Sequence, residues 1–261
     1  MTFTPPSLDA VLPLPFAWST IPAGSVTIDY TEGSAHSFIA ARQQTFELPA
    51  FFIATYPVTT DQYQVFLDDA GGYQLTKWWS FSQAALDWRR EWPEPSVPLK
   101  APDNAPRTRI CWYEAVAFCR WLEQQTEKQD GWVITLPTEQ QWQRAAQGDD
   151  GRLYPWGNDF NPAHARTGEV YSGAPAPVTA YPGGASPYGV LDMGGNTWEW
   201  TLSQPGTQDI GLRGGGQRVL RGGSWSDPAA DARCVARFAA NPHSRDSGFG
   251  LRLACVPALT G

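Results

Sequence analysis

Arg221-Gly222-Gly223-Ser224-Trp225 is the stretch whose reading decides the fold. A β-like run, Val219-Leu220, enters it. A loop rich in Pro, Ala and Asp leaves it and closes on Gly248-Phe249-Gly250-Leu251-Arg252-Leu253-Ala254-Cys255. Paired glycines take backbone angles that are costly for any residue with a side chain. A sharp turn is therefore expected, presenting Ser224 and Trp225 beyond it.

The surrounding composition narrows the class. The chain has 261 residues, enough for a substantial core. Its 25 Gly and 23 Pro predict a loop-rich fold with few long helices. Charged residues are 17%, against about 25% in an average protein, whereas Trp stands at 13 residues. The net charge is −7 and no basic run occurs, which argues against a nucleic-acid footprint. No apolar stretch approaches the roughly 18 residues of a membrane span. Met1 to Trp18 has no basic region and is broken by Pro5, Pro6, Pro13 and Pro15, so no secretory signal is expected and the cytoplasm is the default compartment. Four cysteines do not make a disulfide framework. Cys111 and Cys119, about two helical turns apart among apolar neighbours, read as core thiols.

Secondary structure follows from capping and periodicity. Ile21 to Ile28 reads as a turn entering a strand, and Thr45 to Ala54 as a second strand. Thr59 with Gln62 has capping-box spacing, and Tyr63, Phe66 and Leu67 supply an apolar face, so a helix is expected up to Gly71-Gly72. Residues 73–108 carry Trp78, Trp79, Trp88 and Trp92 among prolines. They read as a short helix over Ser82–Glu91 inside a long loop packed by its own aromatics. Trp112, Ala115, Val116, Cys119 and Leu122 predict a helix over 112–127. A strand over 132–136 and a helix capped by Thr138 and Gln141, ending at Gly148, come next. From Tyr154 onward the chain is turn-rich. No linker separates two cores, so residues 1–261 read as one domain.

The chemistry of individual residues leaves few options. His36, His164 and His243 are far apart, with no metal-binding spacing, and no Cys-x-x-Cys is present. There is no Gly-x-Ser-x-Gly elbow. Gly214-Gly215-Gly216 lacks the Lys and the helix that a phosphate loop needs. Glu199, between Trp198 and Trp200 after the turn Gly194-Gly195, needs a partner if buried. Turn carbonyls with one carboxylate would suit a hard cation such as calcium; backbone amides or an arginine would satisfy the acid equally well. Residues 226–249 mix aromatic, acidic, basic and amide groups, a composition suited to binding or to a solvated loop.

Together these motifs carry a resemblance. Pro57-Val58-Thr59, Cys111 to Cys119, Leu136-Pro137-Thr138-Glu139, Tyr154-Pro155-Trp156-Gly157-Asn158, Tyr188 to Trp200, Arg218 to Trp225 and Gly250-Leu251-Arg252 resemble the formylglycine-generating enzyme (sulfatase-modifying factor) family over roughly residues 16–256. The resemblance implies an α+β, loop-rich variant of the C-type lectin fold, with two main helices and twisted antiparallel strands. The family's oxidase holds copper with two cysteines just after the glycine turn. At those offsets this chain has Asp227 and Ala232, and Cys234 matches a third, non-catalytic cysteine. Cu(I) needs soft thiolates, so no copper is expected. The resemblance also implies a structural calcium on the carbonyls of Gly194, Gly195 and Thr197 and the carboxylate of Glu199. At a second calcium site an Asn is replaced by Arg166.

A further branch is similar to this chain: the variable proteins of diversity-generating retroelements, which display a randomised ligand-binding surface between Gly-Gly-Ser-Trp and the last Gly-x-Arg. Adenine-directed variation of their Asn codons cannot yield Lys, Glu, Gln, Met or Trp, and residues 226–256 contain none of these. The expected function is a non-catalytic module that binds a protein or other macromolecule, and neither nucleic acid nor membrane. Its expected surface is Trp225, Asp227, Phe238, Asn241, His243, Ser244, Arg245, Asp246 and Ser247. The rival is a metal-dependent oxidoreductase of the same family with altered chemistry, its metal held by His243, Asp227 and a distant group.

Overall fold

The structure, a computed structural model, describes residues 4–30, 43–126, 131–170 and 173–258. In chain order come strands β1 (Trp18–Ile21), β2 (Gly24–Asp29), β3 (Gln43–Leu48) and β4 (Phe51–Ala54), then helices α1 (Thr60–Asp68), α2 (Gln83–Glu91) and α3 (Trp112–Gln125). Strand β5 (Trp132–Thr135), helix α4 (Glu139–Gln147) and strands β6 (Trp198–Trp200), β7 (Arg218–Arg221), β8 (Arg237–Ala240), β9 (Phe249–Leu251) and β10 (Ala254–Pro257) complete the order. Three sheets result, in orders β1-β4-β10-β5, β2-β3 and β8-β7-β6-β9. Every pairing is antiparallel except β6 with β9. The last strand, β10, lies between β4 and β5, so chain ends and middle close one sheet.

Both predicted capping boxes form. Thr59 Oγ1 accepts from the Gln62 amide at 3.2 Å, and Gln62 Oε1 accepts from the Thr59 amide at 3.0 Å. Thr138 and Gln141 repeat the arrangement at 3.2 and 2.9 Å. Each box meets orphan donors of a first helical turn. Four α-helices are present among the described residues, at the four places that capping and periodicity predict, and Ser82 caps α2 through the Ala85 amide. The strand expected over Thr45–Ala54 is two strands in different sheets, broken at Pro49-Ala50.

The 73–108 segment differs most from its sequence reading. Trp78, Trp79 and Trp88 belong to the main core, together with Tyr63, Phe66, Trp112, Phe118 and Trp121. Tyr73 meets Trp79 at 5.2 Å between ring centroids, and Trp88 meets Tyr113 on α3 at 5.8 Å. The segment is thus one wall of the core. Two indole hydrogen bonds then tie α3 and its entry to the second large sheet: Trp112 Nε1 to the Thr201 carbonyl at 2.9 Å and Trp200 Nε1 to the Ile110 carbonyl at 3.0 Å. Buried indoles retain their hydrogen bonds in this way.

Candidate functional site

The glycine turn is built as its sequence demands. Gly222 and Gly223 have φ of 104° and 75°, and a Cβ on Gly223 would lie 2.8 Å from the Asp231 carbonyl oxygen. Only glycine fits both the angle and the approach. Beyond the turn, the Asp227 carboxylate accepts from Trp198 Nε1 at 2.8 Å, from the Ser224 amide at 3.0 Å and from the Ser224 hydroxyl. Ala232, at the second copper-cysteine offset, is buried and offers only a methyl group. Asp231 next to it is held above the ordinary carboxylate range by burial and then by the negative charge of Asp227.

The expected surface residues fall into two groups joined by a turn. Asp227 and Phe238 meet at Trp198, whose ring centroid lies 5.9 Å from that of Phe238. Trp225 is half-buried and donates from Nε1 to the Ser247 carbonyl at 3.3 Å, which binds the first loop to the last turn. The joining turn is stapled down: the Ser244 amide donates to the Asn241 carbonyl, and Asp246 Oδ1 accepts from the Gly248 amide. Its Pro242 carbonyl receives the first amide of α3, from Trp112, at 3.0 Å. Asn241, His243 and Asp246 remain exposed.

His243 and Arg245 form the second group, and they face residues that sequence spacing did not single out. They line a pocket of about 590 Å³ with Asp87, Trp88, Glu91 and Trp92 from α2 and its end, and Tyr113 from α3. Arg245 is fixed in the pocket wall. Its Nε and Nη2 donate to the two carboxylate oxygens of fully buried Glu114 at 2.8 and 2.6 Å, and its guanidinium lies 4.8 Å from the Trp88 ring centre. Glu114 also accepts from Tyr73 Oη at 3.0 Å and the Cys111 amide at 2.9 Å. Burial works against the Arg245 charge, but the Glu114 contact outweighs it and holds the guanidinium above its ordinary value. Its charge is consumed internally, so it sets the pocket's shape more than its polarity. The overlooked signal was Asp87 and Glu91, four apart on one helix face beside Trp92.

Glu199 has the partner its burial required, and that partner is an arginine. Its carboxylate accepts from Arg252 Nη2 at 2.7 Å, Arg252 Nε at 2.9 Å and Trp142 Nε1 at 2.6 Å, with both charged groups fully buried. The Gly195 carbonyl accepts the Thr197 amide at 2.8 Å, and the Gly194-Gly195 turn packs against Ala232 and Arg166. This donor set does not fit calcium, which needs six to eight oxygens turned to one point. Arg166 answers likewise at the second site: its guanidinium donates to the carbonyls of Val170 at 2.6 Å and Ala174 at 3.0 and 3.1 Å. At the first place a guanidinium meets the Glu199 carboxylate that the family resemblance assigned to a cation.

The rival metal set does not assemble either. No group of three His, Cys, Asp or Glu suited to a metal ion occurs among the described residues. His243 lines the α2 pocket, Asp227 is bound to Trp198 and Ser224, and His164 stands against Trp156 at 5.7 Å. His36 lies outside the described residues. No described helix is long and apolar enough to cross a membrane.

The fold and the glycine-turn site define the class: a loop-rich α+β domain of C-type-lectin type whose glycine turn is followed by a bonded Asp227 and a buried Ala232. The chain belongs to the family of sulfatase-modifying factor enzyme 1-like domains, whose pattern matches residues 15–256. It is 33% identical over 237 residues to hercynine oxygenase of Mycobacterium tuberculosis, a match that covers 80% of this chain and 53% of that protein. It is likewise 33% identical over 198 residues to the inactive C-alpha-formylglycine-generating enzyme 2 of Mus musculus, covering 68% and 57%. The chain thus spans little more than half the length of these curated relatives. Treponema denticola variable protein 1 shares the fold, with a TM-score of 0.69 at 21% identity over 93% of this chain and 95% of that one.

Proposed function

We propose that this domain is a non-catalytic binding module, with its recognition face on the 224–227 loop, the 241–247 turn and the adjoining end of α2. The observation that carries this reading is the fate of the oxidase site: Asp227 is spent on three internal hydrogen bonds and Ala232 is a buried methyl. No thiolate pair is left there to hold copper. Next to that site, exposed Asn241, His243 and Asp246 stand on a turn stapled to α3, with half-buried Trp225 on the neighbouring loop and Phe238 on β8. A rigid support with mixed side chains suits recognition, because little order has to be gained on binding. Support comes from a relative described as inactive and from a fold shared with a variable protein. The ligand proposed is a protein or other macromolecule, and the face proposed to vary is residues 226–249.

The test is capture of partners from the native host with the wild-type domain and with the double variant F238A/H243A. A partner held by the first and lost from the second is the expected result. An unchanged set of captured partners overturns the assignment of the face. Oxidation of a cysteine-containing sulfatase peptide by the purified domain loaded with copper would overturn the non-catalytic reading itself.

A further inference from the structure

The pocket between α2 and the 241–246 turn has a chemistry of its own. Two walls are aromatic and almost fully buried, Trp88 and Tyr113. The third ring, Trp92, is 53% exposed and packs against no other aromatic ring among the described residues. Large apolar groups left open on a pocket rim mark contact sites. The charges are also unequal in availability. Arg245 is matched by Glu114, and Asp87 is matched by Arg90 at 2.8 Å. Glu91 is exposed and makes no ion pair among the described residues. Once the matched pairs cancel, the pocket keeps one open ring and one open carboxylate.

One of these walls already holds a cation on a ring, Arg245 over Trp88, 4.8 Å from the ring centre. Elsewhere in the 73–108 segment the Arg89 guanidinium lies 4.7 Å from the Tyr73 ring centre and the Lys77 ammonium 4.2 Å from that of Trp78. An indole face attracts a cation through its quadrupole, and a nearby carboxylate adds to the attraction. We infer that this pocket takes a guanidinium or ammonium side chain, stacked on Trp92 and paired with Glu91, from a basic segment of a partner protein. The volume of about 590 Å³ accommodates a whole arginine or lysine side chain with adjacent backbone. The chain's net charge of −7 favours encounter with a basic partner. This inference rests on the binding-module reading and adds the chemical class of the partner.

The probes are three peptides, acetyl-Gly-Arg-Gly-amide, its citrulline counterpart and its glutamate counterpart, each titrated into the whole domain and followed by ligand-observed NMR. Citrulline keeps the shape of arginine and removes its charge. The arginine peptide is expected to bind, with the citrulline peptide at least about fivefold weaker and the glutamate peptide silent. W92A and E91Q are each expected to weaken the arginine peptide by about twofold to fivefold. Both residues are exposed, so an unchanged melting temperature will show that the fold is intact. Tetramethylammonium chloride forms a separate arm: saturation by this ion alone, with no binding of the arginine peptide, would assign the site to a free small cation and overturn the protein-segment inference. Equal binding of arginine and citrulline peptides, wild-type affinity in W92A and E91Q, or no binding of any probe would also overturn it. W92A and E91Q leave Phe238 and His243 in place, so these results and the F238A/H243A capture can fail separately.

Discussion

Replacing Glu199 by Gln separates an arginine-locked core from a calcium site. Glu199 accepts two bonds from Arg252 and one from Trp142, all between 2.6 and 2.9 Å, with no exposure of either charged partner. E199Q leaves the Arg252 charge buried without its counter-charge. Breaking a buried pair by removing one partner costs about 3–5 kcal/mol. For a chain of this size each kcal/mol moves the melting temperature by about 2–4 °C, so a drop of about 6–20 °C is expected. The double variant E199M/R252M should recover only part of it. Apolar residues can replace the pair, but Arg252 also serves the carbonyls of Ala54 and Leu191 at 2.8 Å each, and these lose their donors. The assay is thermal unfolding with EDTA and with added calcium. Were calcium present at a hundredfold over its dissociation constant, a site would contribute about 2.7 kcal/mol, a shift of about 5–11 °C. The expected shift for the wild type is none. A wild-type melting temperature that rises with calcium, with the rise lost in E199Q, would refute the reasoning.

Two more outcomes follow from buried groups. Burial lifts Asp192 from 3.8 to about 7, against the lowering effects of its hydrogen bond from Asn196 and of Arg252. The folded chain therefore keeps a proton that the unfolded chain has released. The contribution is fully present below about pH 4 and is lost as pH rises through about 7, at up to about 1.4 kcal/mol per unit. Asp192→Asn should flatten that part of the profile, so the variant gains on the wild type between about pH 4 and 7 in denaturant titrations; parallel profiles would refute it. All four cysteines are free and buried, and burial raises their thiols, Cys234 and Cys255 to about 12. A thiol reagent such as DTNB should label none of them in the folded protein and all four in denaturant, because thiolate fraction and access both control the reaction. Labelling of folded protein would show an opening that the packing does not provide.

Local rules made much of the fold legible. The capping boxes at Thr59 and Thr138 were visible because cap and partner are three residues apart, and the glycine turn because a positive φ leaves a residue-type signature. The helix expected over 112–127, observed as Trp112–Gln125, was visible through its apolar spacing. The short helix inside residues 73–108 was legible, but that its tryptophans form a wall of the main core was not, because tryptophans among prolines have no period. The partner of Trp88 is Tyr113, which lies on another helix.

The candidate site divides in the same way. Sequence alone determined that Glu199 would need a partner if buried, that Asp227 and Ala232 offer no thiolate, and that residues 226–249 carry mixed chemistry. It could not choose between a cation and an arginine for Glu199, because Arg252 is 53 residues away and the choice is made by a register in which β6 runs beside β9. Nor could it show that Arg245 is spent on Glu114, 131 residues distant, or that α2 brings Glu91 and Trp92 to the side of His243. Residue type sets which interactions a side chain needs. Only the packed chain sets which partner arrives, because buried charges are satisfied by whatever the tertiary structure places within about 3 Å.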